Sequence, residues 1–173
     1  VLDPELPFSA ALTATSNVNL SLADLDAVPA IFSDVELAFP IAISASGTSS
    51  RQMIAAQAVA TGAGYDALTC SLQAEHESGK ILVSQLSILD VTAQNALYAS
   101  GEVVVADAVE WSIGLHSDGV DLPNVIETLD GRMAGSLQLF GEMHAAQWEV
   151  GVRDAELSGL INGLPARISG FAG

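Results

Sequence analysis

The side chains most able to bind a metal are three histidines that lie near carboxylates in the sequence. His144 lies two residues after Glu142, so both would face the same side of a strand. His76 lies between two glutamates, and His116 lies two residues before Asp118. None of these spacings is that of a zinc module, and the chain has a single cysteine. The sequence therefore predicts no metal site and favours solvated turn and edge residues.

The spacing of serine, cysteine and histidine gives no support to nucleophilic catalysis. No G-x-S-x-G elbow is present, and Cys70 lacks the surroundings of a reactive thiol. Ser117 lies between His116 and Asp118, but neighbouring residues on a strand point to opposite faces. GAGYDA at 62–67 resembles the start of a dinucleotide fingerprint, yet a strand follows it where that motif needs a helix. We therefore expect a hairpin turn there, no cofactor and no enzymatic activity.

The composition bounds the partners and the fold class. The formal net charge is −16, from 21 acidic and 5 basic residues. A nucleic acid needs a basic surface, and so does an anionic membrane surface, so both are disfavoured as partners. Half of the residues are apolar but only 5% are aromatic, a mixture that suits strands better than a helical bundle.

Apolar and polar residues alternate along most of the chain, which predicts a series of half-buried β-strands. Even-numbered positions from Phe8 to Leu22 form the first apolar set, which predicts one long strand or a hairpin, and Val35 to Ile43 form the next. The later sets predicted to share a face are Leu68, Cys70, Leu72 and Ala74; Leu82, Leu86 and Ile88; Leu97, Val103 and Val105, with a bulge or kink at Gly101; Trp111, Ile113 and Leu115; Leu137 and Leu139; Trp148, Val150 and Val152; and Leu160, Leu164 and Ile168.

Two segments interrupt the alternation and have a similar organisation. Residues 23–34 (ADLDAVPAIFSD) and 120–130 (VDLPNVIETLD) each follow strands, carry acids and a proline, and precede another strand. We expect them to be short helical or loop crossing elements that mark the boundaries of a repeat unit. No linker divides the chain, so 1–173 is predicted to be one continuous β-unit. The chain starts with Val1 and alternates already at Phe8, so we expect it to be a fragment of a longer protein.

The order of segments in the second half resembles a known family. The series runs KILVSQLSILD, NALYASGEVVVAD, VEWSIGLHSDG, VDLPNVIETLDG, GRMAGSLQLFGEM, QWEVGV and LSGLINGLPARISG. Over residues 80–170 this series is similar to TamB, the large subunit of the translocation and assembly module of Gram-negative bacteria. More widely, it resembles the AsmA-like and bridge-like lipid-transfer proteins.

The resemblance implies a fold, a location and a role. It implies a long curved antiparallel sheet that forms an open hydrophobic groove, and a periplasmic protein anchored in the inner membrane. The implied role is outer-membrane biogenesis, with phospholipid acyl chains shielded in the groove on their way to the outer membrane. The implied partners are those acyl chains, the outer-membrane barrel TamA and unfolded outer-membrane proteins.

The residues expected to line the groove follow from the apolar sets. Two alternatives stay open: a structural or adhesive β-sandwich that buries its apolar face completely, and a lipocalin-like carrier of one small ligand. An open groove and a closed core differ in whether anything covers the apolar face. The expected lining residues are Leu37, Phe39, Ile41, Leu72, Leu82, Leu86, Trp111, Ile113, Leu115, Leu137, Leu139, Trp148, Val150 and Leu164.

Overall fold

A computed structural model describes residues 6–16, 18–21, 35–62, 65–90, 95–121, 130–144 and 147–172, the last with the backbone alone at 148, 171 and 172, as also at 65 and 66. The described part of the chain forms β-strands, as the period-two alternation predicts. The strands are β1 (Phe8–Ala14), β2 (Leu20–Ser21), β3 (Glu36–Gly47), β4 (Arg51–Gly62), β5 (Tyr65–Glu77), β6 (Lys80–Asp90), β7 (Asn95–Val105), β8 (Val109–Asp121), β9 (Gly131–His144), β10 (Gln147–Ile161) and β11 (Leu164–Ala172).

The strands that the structure describes form one open antiparallel sheet in the order β1-β3-β4-β5-β6-β7-β8-β9-β10-β11, with β2 also paired to β3. This confirms the predicted fold class, an all-β antiparallel sheet consistent with a curved groove. β1 and β2 both pair with β3 antiparallel and run in the same direction along it, which agrees with the predicted long strand, interrupted between Ala14 and Leu20; the hairpin alternative is wrong. The predicted turn at 62–67 is confirmed, because Gly62 pairs with Tyr65 across β4 and β5.

The two predicted crossing elements fall mainly outside the described residues. The first, 23–34, lies entirely outside them, and so do positions 122–129 of the second. Val120 and Asp121 belong to the end of β8, and β8 pairs directly with β9. The repeat-unit boundaries and the single continuous unit over 1–173 therefore stay predictions.

The strand register divides the sheet into an apolar face and a polar face, since residues paired across antiparallel strands share a face. Trp111, for example, pairs with Val103 and Gly141, whereas Glu110 pairs with Val104 and Glu142. The core of the apolar face consists of Ile43, Ile54, Ala56, Leu72, Ala74, Ile81, Val83, Leu86, Ile88, Leu97, Ala99, Val103, Trp111, Ile113, Leu115, Leu137, Leu139, Met143, Val150 and Val152.

A bulge in β6 moves Leu82 to the polar face. The register shifts between Val83 and Leu86, where β6 has one residue more than each neighbouring strand needs. Leu86 pairs with Leu72 and Ala99 on the apolar face, whereas Leu82 pairs with two glutamates of the polar face. The prediction that Leu82 shares a face with Leu86 and Ile88 is therefore wrong. Of the bulge or kink predicted at Gly101, the bulge is wrong, since β7 pairs with β8 regularly from Leu97 to Val105, and the kink stays a prediction.

The hairpin between β10 and β11 separates two further leucines that were predicted to share a face. The turn has two residues, so Ile161 pairs with Leu164 and Leu160 pairs with Pro165. Two neighbouring residues of a strand point to opposite faces, and Leu160 also pairs with Arg132 of the polar face. Leu164 consequently lies on the apolar face and Leu160 on the polar face.

The most buried apolar residues lie on the apolar face, although no second layer of described residues covers it. Ala60, Ala74, Ala99 and Met133 are 4 to 7% exposed. The three alanines pair with larger apolar residues of this face, Ala60 with Leu37, Ala74 with Ile54 and Ala99 with Leu86. Among the described residues no large side chain is fully buried, and Val150 is 62% exposed on this face. The core is therefore a one-sided apolar layer and not a closed interior.

Candidate functional site

The candidate site is the apolar face between β6 and β10, where cross-strand rows of aliphatic side chains meet. Leu139 of β9 lies between Ile113 of β8 and Val152 of β10. In the next cross-strand row of this face, Leu115 of β8 pairs with Leu137 of β9. Alternation places every second residue of these strands on this face, and branched side chains pack well on a pleated surface.

A glycine shapes the centre of this face by making room for a tryptophan. A Cβ atom on Gly141 would lie 2.5 Å from the Trp111 ring, and also too close to the backbone oxygen of Glu149. The indole of Trp111 therefore lies over the β9 backbone at Gly141, where no side chain stands in its way. The signal available in the sequence is a glycine in an alternating strand, which indicates close approach of another group.

The predicted groove residues fall almost entirely on one face. Phe39 lies in the interruption between Ala38 and Ala42, where the β3–β4 register assigns no face. Leu82 lies on the polar face for the reason given above, and position 148 pairs with Met143 of the apolar face. The register places on the apolar face Leu37, Ile41, Leu72, Leu86, Trp111, Ile113, Leu115, Leu137, Leu139, Val150 and Leu164.

Cys70 is the nucleophilic side chain of the apolar face. It pairs with Ala58 and Ile88, and it is about half-buried between them. Burial in these apolar surroundings raises the pKa of the Cys70 thiol above its ordinary value. The thiol is consequently protonated at neutral pH and is a poor nucleophile.

The polar face carries the charged side chains and their hydrogen bonds. Ion pairs join Arg51 to Glu75, Lys80 to Glu102 at 2.6 Å, and Arg132 to Asp121 at 3.8 Å. Exposed pairs of this kind contribute little stability each. In the described part of the chain, no three His, Cys, Asp or Glu side chains lie close enough to hold a metal ion.

A second polar cluster lies further along this face, around Ser112. Gln138 Nε2 donates to Ser112 Oγ at 2.9 Å, and Arg153 Nη2 donates to the same oxygen at 3.3 Å. The Arg153 guanidinium lies 5.1 Å from the centre of the Phe140 ring. Most charged and hydrogen-bonding groups of the described residues lie on this face. The apolar face has a few of its own, since His76 pairs with Ile81, and the buried Asp90 pairs with the buried Asn95 two residues after Ile88.

Sequence reasoning missed a pocket on the polar face, which we call the acidic pocket. Its volume is about 870 Å³, and its walls come from β6 to β10. A twisted sheet is saddle-shaped, so a concavity on either face is compatible with one sheet. Eight lining residues lie on the polar face with a side chain: Ser112, the three apolar residues Leu82, Val104 and Phe140, and the four glutamates Glu102, Glu110, Glu142 and Glu149.

Comparison with known protein families identifies the chain. The family model described as TamB, N-terminal domain, matches residues 1–172. The chain belongs to the TamB family. Comparison with curated proteins gave no match, and comparison with solved structures gave none either.

Membership of the TamB family gives the one-sided sheet a general role. TamB proteins are periplasmic, inner-membrane-anchored proteins of Gram-negative bacteria, and they act in transport and assembly. The chain is a TamB-type module of outer-membrane assembly. Within the described residues, no helix is both long enough and apolar enough to cross a membrane.

Proposed function

We propose that this TamB-type sheet shields phospholipid acyl chains on its apolar face while lipid moves to the outer membrane. The observation that carries this proposal is an apolar face that continues from β3 to β10 with no covering layer among the described residues. Eight neighbouring strands at about 4.8 Å give a strip of roughly 34 Å. Such a strip is long enough to accompany an acyl chain across several strands.

The chemistry of the face suits a mobile lipid. Each methylene that leaves water gains about 0.8 kcal/mol, so exposing a long acyl chain costs on the order of 10 kcal/mol. Smooth aliphatic side chains such as Ile113, Leu137 and Leu139 supply this shielding without fixing one ligand pose. Most charges lie on the opposite face, and the buried Asp90 lies at the end of β6, so the central row of Ile113, Leu139 and Val152 contains no charged side chain.

The closed β-sandwich fits the same observations less well. A sandwich would bury its inward side chains under a second sheet, whereas Val150 and Leu164 are 62% and 70% exposed. The described strands end at two open edges, β1 and β11. An open edge favours a second cargo, since unfolded outer-membrane protein strands could pair with it. TamA remains the proposed partner at the outer membrane.

Site-specific photo-crosslinking in cells tests the proposal. A benzophenone amino acid at Ile113 or Leu139 is expected to capture phospholipid, detected by mass spectrometry of the purified adduct. The matched controls are Ser112 on β8 and Ser136 on β9. They lie on the same two strands as Ile113 and Leu139 but on the polar face. Lipid adducts from the two serine positions alone would refute the proposal. Protein adducts from the leucine and isoleucine positions would reassign the face to unfolded protein cargo.

A further inference from the structure

The acidic pocket contains a row of glutamates that the described chain does not neutralise. Glu142 on β9 pairs with Glu110 on β8 and with Glu149 on β10, so three carboxylates stand side by side. Directly opposed residues have Cβ atoms about 5 Å apart, and like charges at that distance are destabilising. The ion pairs of the described residues include none of these three glutamates. The three side chains are exposed, so water and salt screen the repulsion along the row, and a bound positive charge would relieve what remains of it.

The floor of the acidic pocket is apolar, so the pocket combines apolar side chains with the glutamates. The bulge in β6 turns Leu82 towards this face, where it is 45% exposed. Phe140 stands opposite Gly151, where a Cβ atom would lie 2.4 Å from the ring. The Arg153 guanidinium already lies 5.1 Å from the centre of the Phe140 ring. An apolar side chain of a partner could therefore insert between the glutamates and displace water from Leu82, beside Phe140.

We propose that the acidic pocket is a docking site for a basic peptide segment of a partner protein. Lysine or arginine side chains of the segment would lie over Glu110, Glu142 and Glu149, and an apolar side chain between them would contact Leu82 and Phe140. The charge of the row and the apolar floor together select this partner over an acidic or purely polar one. The site is on the face opposite the groove, so it operates independently of lipid shielding.

A second, smaller concavity on the same sheet serves as an internal reference. Its volume is about 340 Å³, and it lies between β1 and β5. Ala55, Gln57, Ser71 and Gln73 contribute to its lining, which contains no charged side chain. The proposal assigns no basic partner to this concavity, because it lacks the charge that would attract one.

Fluorescence anisotropy with a defined peptide tests the docking site on the intact chain. The probe is a fluorescein-labelled pentapeptide in which lysine and leucine alternate. Two further peptides replace each lysine by glutamate or each leucine by serine. We expect the lysine–leucine peptide to bind, the glutamate peptide not to bind, and the serine peptide to bind several-fold more weakly. Equal binding of the serine and leucine peptides would overturn the role of the apolar floor.

Two matched variants locate the binding. Glu142→Gln removes the central charge of the row, and we expect roughly two- to fivefold weaker binding, the range for an exposed ion pair. The control, Glu156→Gln, makes the same change on β10 at an exposed polar-face position that pairs with Ser136, outside the pocket. Equal weakening by both variants would show a general effect of net charge and overturn the proposal.

Thermal unfolding provides the second readout. Glu142→Gln is expected to raise the melting temperature because it relieves repulsion on both sides, while peptide binding falls. If the Glu142→Gln variant folds and binds the lysine–leucine peptide as tightly as the unmodified chain, the proposal is overturned. A separate experiment titrates calcium into the chain without peptide and measures its binding by calorimetry. Calcium binding that Glu142→Gln abolishes would reassign the row to a cation and also overturn the proposal.

Discussion

A charged side chain at the centre of the apolar face should block lipid binding while leaving the fold intact. Leu139 is half-buried between Ile113 and Val152. Fully burying a leucine contributes about 1.5–3 kcal/mol, so losing half of that in Leu139→Arg costs roughly 1 kcal/mol. The long arginine stem can keep contact with neighbours while the guanidinium reaches water. For a chain of this size we expect the melting temperature to fall by roughly 2–4 °C.

The effect on lipid should be larger than the effect on stability. A guanidinium held against acyl chains costs about 2.5–3.5 kcal/mol on insertion scales, which corresponds to an affinity roughly a hundredfold lower. The assay is binding of a fluorescent phospholipid to the purified chain, with circular dichroism to verify the fold. Ser136→Arg is the control, since it adds the same side chain to β9 on the polar face, opposite Glu156. Leu139→Met keeps the apolar volume and should bind almost as the unmodified chain does.

Two results would refute this reasoning. Leu139→Arg that is folded and binds lipid as the unmodified chain does would exclude the centre of the apolar face as the lipid contact. Equal loss from Ser136→Arg would show that positive charge anywhere on β9 disturbs binding, and the distinction between the two faces would then carry no functional meaning.

Three further predictions follow from the register, the buried thiol and one glycine. Leu86→Ser should weaken lipid binding and Leu82→Ser should not, because the β6 bulge separates their faces; equal effects in the fluorescent-lipid assay would contradict the register. Cys70 should react with maleimide more slowly in the folded chain than in urea, since burial raises its pKa; the rate should increase with pH as thiolate forms, and bound lipid should slow it further. Gly135→Ala should destabilise the chain by about 1–3 kcal/mol, since Gly135 has φ +138° and its Cβ would lie 2.0 Å from the Glu156 backbone oxygen. Urea unfolding checks this, with Gly114→Ala as the control, because the group nearest to a Cβ at Gly114 is a flexible side chain.

The strands and the identity of most apolar-face residues could be predicted from the sequence because a period of two is a local property. Leu72, Cys70 and Ala74 alternate within β5 and share a face in the structure. A bulge is not local in this sense, because it depends on how many residues the neighbouring strand offers. The assignment of Leu82 therefore failed. Its own segment was also ambiguous, since Ile81, Leu82 and Val83 are apolar in succession and the two residues after them are polar.

The acidic pocket was beyond sequence reasoning for a related reason. Glu110 lies 32 positions before Glu142, and only the register of β8 with β9 makes them neighbours. Phe140 occupies a polar position of an alternating strand, and this was the available local signal. The chemical nature of the site thus depends on pairings between strands and not on any short motif.

The strand order has a consequence for how such a sheet can change in length over evolution. Apart from β1 and β2 beside β3, each described strand pairs with the strands next to it in the sequence. Inserting or deleting one hairpin would therefore lengthen or shorten the sheet by about 10 Å while preserving nearly every other pairing. A gene encoding this architecture could adjust the distance that its product spans in steps of one hairpin, much as solenoid proteins do by gaining or losing repeats.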